Sequence, residues 1–143
     1  MNPLYTLGYT GLKPTEIVQA AERLDAIIAD IRFSPRSRHP MWHGTKMQAA
    51  WGERYIHLPE LGNVNYKRDR GDGIILADPE AGRARALDLL ARQPVILLCA
   101  CVDWKTCHRR DAAELIAQRS GVDIRHLSRE DVRRLIDADS DAT

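Results

Sequence analysis

Between Cys99 and His108 the chain places three thiols and an imidazole, Cys99, Cys101, Cys107 and His108, and follows them directly with Arg109 and Arg110. Sulfur and imidazole at that density suit three kinds of chemistry: nucleophilic attack by a thiolate, proton transfer by histidine, and metal ligation. Cys107 is the thiol to expect as reactive, because a cysteine in the first turn of a helix beside arginine and histidine is held toward its thiolate form. His108 is the neighbouring acid or base. Cys99 closes an apolar run, so burial should keep it protonated, and it counts among the residues walling a ligand site. The same donors suit a thiolate-rich zinc site, but their spacing argues against it. A zinc knuckle has two residues between paired cysteines, whereas one and then five separate these. No residue is therefore assigned to a metal, no cofactor is assigned, and a thiolate metal site stays only as a further alternative.

Arg109 and Arg110 bear on the substrate. A helix N-terminus is already partly positive, so two cations in the first turn oppose the macrodipole unless an anion sits there. Backbone N–H groups and guanidinium forks together make such an anion site.

The elements that must position these groups follow from pattern. Val95 to Leu98 is an uninterrupted apolar run after Pro94, the mark of a strand buried on both faces of a parallel sheet. Leu4 to Leu7, Ala26 to Ile31, Tyr55 to Leu58 and Val122 to Leu127 read as four more strands. Helices are expected from Pro14 to about Leu24, over Thr45–Trp51, after the Asp78-Pro79 cap, from about Cys107 to Arg119, and after Ser128, where Asp131 completes a capping box. Strands alternating with helices imply a single three-layer α/β domain over residues 1–136, with a mainly parallel sheet of about five strands, helices on both faces, and a frayed polar tail over 137–143. The segment from Asn63 to Ala77 has no clean period and reads as a mobile surface loop that could serve as a lid. In open parallel sheets ligands bind outside the carboxyl ends of the strands. That rule gathers Tyr9, Asp30, Arg32, Arg36, Glu60, Cys99 and Arg109 at one edge, with Glu60 as the remaining acid or base.

With Lys+Arg 21 against Asp+Glu 20, the net charge of +1 gives no global pull toward nucleic acid or membrane. Any preference for anions must be local. Three cysteines crowded at one strand end do not form a disulfide framework, and no apolar stretch approaches the roughly eighteen residues of a membrane span. A soluble, reducing, cytoplasmic setting is expected, with no membrane partner.

Four strand-end motifs resemble the domain of unknown function 488 family: Thr6-Leu7-Gly8-Tyr9-Thr10, Asp30-Ile31-Arg32 with Pro35-Arg36-Ser37, Tyr55-Ile56-His57-Leu58-Pro59-Glu60-Leu61-Gly62, and Leu97-Leu98-Cys99 leading to Cys107-His108-Arg109. The resemblance implies a compact α/β domain with no agreed activity. It also shows a departure, since the family pattern has Glu two residues after the first cysteine and this chain has Cys101. A weaker likeness to rhodanese-type sulfurtransferases and related cysteine phosphatases fails at the loop. Their arginine lies about six residues after the nucleophile, where this chain has Lys105 or Cys107.

The leading expectation is a small enzyme acting on an anionic small molecule, phosphate- or nucleotide-bearing. Cys107, His108 and Glu60 supply the chemistry, and Tyr9, Asp30, Arg32, Arg36, Arg109 and Cys99 supply the binding surface. The alternative is a non-catalytic module that binds nucleic acid or a nucleotide through the same arginines.

Overall fold

The computed structural model describes residues 2–71, 73–101 and 103–141, and side chains within that range except those of Arg119, Asp139, Ser140 and Asp141. Five strands form one sheet: β1 (Leu4–Gly8), β2 (Ile27–Asp30), β3 (Tyr55–His57), β4 (Val95–Cys99) and β5 (Ile124–Leu127), in the order β3-β2-β4-β1-β5 with every pairing parallel. The α/β class expected from strand and helix alternation is the one observed.

Strand β4 lies near the middle of the sheet, and all five of its residues are buried. Its side chains alternate between two cores, as a pleated strand requires. Ile96 and Leu98 enter one core with Tyr5 and Leu7 of β1, while Val95, Leu97 and Cys99 enter the other. Helices α1 (Pro14–Leu24), α2 (Gly44–Trp51) and α5 (Arg129–Asp141) cover the first face through Ile17, Met47 and Val132. Helices α3 (Pro79–Leu90) and α4 (His108–Ser120) cover the second through Leu90, Ala112 and Ile116. The caps are those that the sequence signals. The Asp78 side chain accepts from the Ala81 N–H, Gly121 ends α4 in the left-handed region, and Ser128 and Asp131 exchange hydrogen bonds of 2.9 and 3.1 Å.

This topology creates the crevice. β1 and β4 are neighbours, but the helix after β1 packs on one face and the helix after β4 on the other, so their connections leave the sheet edge in opposite directions. Such a divergence marks the carboxyl edge of the sheet as the usual ligand position.

Two expectations change. Helix α5 continues to Asp141, so the polar residues from Asp137 are its last turns; Ala142 and Thr143 lie outside the described residues. The Asn63–Ala77 segment is a tied loop built on two asparagines. Buried Asn65 donates to the carbonyls of Gly71 and Gly73 and accepts from the Arg70 N–H, and Asn63 accepts from the N–H groups of Asn65 and Ile75. These side-chain bonds replace the backbone ladder the segment lacks.

Candidate functional site

The loop leaving β4 folds back over the end of β1. Tyr9 donates its N–H to the Cys99 carbonyl (2.9 Å), and the Thr10 hydroxyl donates to the Ala100 carbonyl (2.5 Å). The Cys101 carbonyl crosses Gly8 so closely that a Cβ there would lie 1.5 Å from it. Only glycine fits. This crossing sets where the Cys101 side chain emerges.

Three sulfurs meet beneath the crossing. Cys99 and Cys107 Sγ are 3.0 Å apart, and the Sγ atoms of Cys99, Cys101 and Cys107 all lie within 4.8 Å of one another. Cys107 is the N-cap of α4 rather than part of its first turn, and its side chain caps no backbone N–H, which leaves the sulfur turned to Cys99. His108 opens the helix. Its Nε2 lies 2.9 Å from the Ile31 carbonyl oxygen, which can only accept, so Nε2 carries the proton. Nδ1 is thereby directed at the sulfurs, 3.7 Å from Cys107 Sγ.

The cluster shares its charge unevenly. Hydrogen bonds from Cys107, Cys99 and His108 hold the Cys101 thiol far below its ordinary range, while the bonds Cys99 makes to Cys101 and Cys107, together with burial, push Cys99 up. For His108, burial works toward the neutral ring, but the hydrogen bonds to Cys101 and Cys107 prevail and the imidazole is pushed up to about 10. Cys101 is exposed, whereas Cys99 and Cys107 are buried.

A cleft of about 570 Å³ opens in front of this wall. Tyr9, Arg32, Arg36, Cys101, Cys107 and His108 line it on the sheet side, and Asn65, Tyr66 and Arg68 of the tied loop line it opposite. No Asp or Glu is among the described residues that line it. Arg36 and Arg68 are exposed; so are Phe33, another lining residue, at 42 % and Tyr66 at 55 %.

Of the residues selected from sequence, Tyr9, Arg32, Arg36, Cys107 and His108 come together around this cleft, with Cys99 buried against Cys107. Asp30 lies behind them. Its carboxylate takes two hydrogen bonds from the Arg32 guanidinium, of 2.9 and 2.7 Å, one of 3.2 Å from the Arg32 backbone N–H, and one of 2.7 Å from the Tyr55 hydroxyl. Arg32 also gives hydrogen bonds to the Tyr9 hydroxyl and Met47 Sδ, so four of its five N–H groups are engaged inside the protein. The pair is chiefly a buried structural link.

Two selected residues are elsewhere. Glu60, in the short 3-10 turn Pro59–Leu61, pairs with Arg85 of α3 at 2.5 Å and does not line the cleft. Arg109 is 1 % exposed and packs its guanidinium against Gly8, away from the lining of the cleft. Arg110 points out and pairs with Glu114. Lining residues that sequence reasoning left without a role include Phe33, Asn65, Tyr66 and Arg68, and Cys101, which stood in the thiol cluster but was given no role. Arg68 stood in the basic run Lys67-Arg68-Asp69-Arg70, but no periodicity distinguishes it from its neighbours.

The motifs at these strand ends are those of one family. A family model described as "Domain of unknown function DUF488" matches residues 15–116. The chain belongs to the DUF488 family. Within the span of the DUF488 match lie Asp30, Arg32, Arg36 and the whole Cys99-to-His108 cluster, while Tyr9 of the first strand end precedes it. Neither a curated protein nor a solved structure matches the chain.

Proposed function

We propose that this DUF488 protein is an enzyme that binds a phosphate-bearing ligand with a planar base, a nucleotide or close analogue, in the cleft at the carboxyl ends of β1, β2 and β4. The observation that carries this reading is the lining: two exposed arginines, Arg36 and Arg68, beside two exposed aromatic rings, Phe33 and Tyr66, with no acidic side chain among the described lining residues. Guanidinium forks hold phosphate oxygens, and aromatic faces stack on bases. A volume of about 570 Å³ suits one small ligand better than a strand of nucleic acid. Cys101 and His108, on the inner wall, are the groups positioned to act on whatever is held.

The test is calorimetric titration of the protein with nucleoside monophosphates, nucleoside diphosphates and inorganic phosphate. Arg36→Ala and Arg68→Ala should each weaken nucleotide binding by about 10- to 100-fold, the worth of a charge-assisted hydrogen bond. Phe33→Ala should weaken nucleotide binding while leaving inorganic phosphate unchanged. Nucleotide affinity untouched by all three variants, or no binding of any of these anions, would remove the proposal.

A further inference from the structure

We propose that Cys99, Cys101, Cys107 and His108 form a binding site for one zinc(II) ion at the inner wall of the cleft. The proposal stands on distances within the cluster and does not depend on which ligand fills the cleft; an ion held by all four donors takes up the Cys101 sulfur and His108 Nδ1, which are then not free to act on that ligand.

Four-coordinate zinc has Zn–S near 2.3 Å and Zn–N near 2.0–2.1 Å, which for a tetrahedron gives S···S of about 3.8 Å and S···N of about 3.6 Å. Here all three S···S distances fall within 4.8 Å, and His108 Nδ1 is 3.7 Å from Cys107 Sγ but not within 4.8 Å of all three sulfurs, so the imidazole has to move inward to complete the tetrahedron. The shortest separation, 3.0 Å between Cys99 and Cys107, is a thiol–thiol hydrogen bond and has to open by about 0.8 Å to reach the tetrahedral value.

The second observation is the far side of the imidazole. Metal-ligating histidines donate their other ring N–H to a carbonyl or carboxylate, which fixes the tautomer and aims the ligating nitrogen. His108 does this through Nε2 and the Ile31 carbonyl, leaving Nδ1 directed at the sulfurs.

The third is how the donors are held. Cys99 ends β4, Cys107 caps α4, His108 begins it, and Cys101 is fixed by the crossing of its carbonyl over Gly8. The sequence spacing that argued against a zinc knuckle is not relevant here, because two elements of the fold converge to bring the donors together. Three thiolates and a dication sum to −1, so Arg36 and Arg68 remain the source of positive potential in the cleft.

The test uses the full chain, purified without chelator and then stripped and reloaded. Zinc should be retained at one equivalent, and cobalt(II) should bind at one equivalent with an intense thiolate-to-cobalt charge-transfer band and the visible spectrum of a tetrahedral ion. Cys101→Ser is the informative variant, because Cys101 is exposed and its loss should leave the fold intact by circular dichroism. Zinc affinity should fall at least about 100-fold, the upper end of what even an outer-shell loss costs, with a weaker charge-transfer band. His108→Gln should lower affinity and shift the cobalt spectrum while retaining the thiolate band. Cobalt bound without that band, zinc affinity unchanged in folded Cys101→Ser, or no stoichiometric binding by the wild-type chain would each overturn the site.

Discussion

Asp30→Asn is the most exacting test of how this fold holds its cleft. Asp30 is fully buried and Arg32 is 7 % exposed, so the carboxylate is the counter-charge of a guanidinium that water barely reaches. The substitution keeps the shape but removes the charge, turns one of the two acceptor oxygens into an NH₂ donor facing the donors of Arg32 or Tyr55, and leaves a buried cation uncompensated. Breaking one side of a buried pair costs about 3–5 kcal/mol. That is a large share of the roughly 5–15 kcal/mol a domain possesses, and at about 3–4 °C per kcal/mol it amounts to a fall in Tm of roughly 10–20 °C. Urea and thermal denaturation followed by circular dichroism read both quantities. The double variant Asp30→Asn with Arg32→Met leaves no buried charge and should recover most of the loss, since replacing a whole buried pair by apolar groups is often neutral. A loss below about 1 kcal/mol for the single variant, or a double variant no more stable than the single, would refute the reasoning.

Other perturbations separate the neighbouring contacts. Gly8→Ala forces the Cys101 carbonyl to retreat from a contact of 1.5 Å, so it should cost at least about 1–3 kcal/mol, whereas Gly73→Ala, whose Cβ meets nothing within 4 Å, should leave the melting temperature nearly unchanged; equal melting points for the two would contradict the crossing. Glu60→Gln removes a partly exposed pair with Arg85 and should cost no more than about 1 kcal/mol, with nucleotide and zinc affinities unmoved in the titrations described above. His126 is stacked on Trp104 at 3.8 Å, and burial, with the Arg109 charge, lowers its pKa. Its proton therefore favours the unfolded chain, so the His126 contribution is intact above about pH 6.5 and is lost as pH falls through the lowered value. The stability profile of His126→Gln between pH 7 and 5 should be flatter than that of the wild type; parallel profiles would count against it.

Periodicity shows where the sequence was readable. The five apolar residues of β4, the Asp78 and Ser128 caps and the glycine after α4 are local signals, and each appears where its own physics requires. Arg109 lies on the buried face of α4 rather than in the lining of the cleft, and the signal for that was present. It precedes Ala112, Ala113 and Ile116 by three, four and seven residues, which places it on the buried face of α4, yet its charge suggested a ligand. Cys101 was not legible in this way. Alternation holds only while a strand lasts, and β4 ends at Cys99, so the direction of Cys101 depends on a backbone crossing over Gly8 from 93 residues earlier. The Asn63–Ala77 loop was hidden for a similar reason: the hydrogen bonds of Asn63 and Asn65 leave no hydrophobic period to detect.

Position 101 is where the sequence departure and the site geometry meet. The resemblance read from the sequence implies a glutamate two residues after the first cysteine, and this chain has there a thiol that lines the cleft and lies within 4.8 Å of two further sulfurs. Glutamate and cysteinate are both anionic donors, so the exchange preserves charge at the wall while changing its chemistry. Thiolate favours soft and borderline ions such as zinc, whereas carboxylate also accepts hard ions such as magnesium and manganese. Cys99, Cys107 and His108 are fixed by strand and helix ends, while position 101 sits on the loop between them, the segment best able to vary without disturbing either core. At the proposed zinc site the strand- and helix-end donors would then set the position of the ion, and the residue at 101 would tune which ion is preferred.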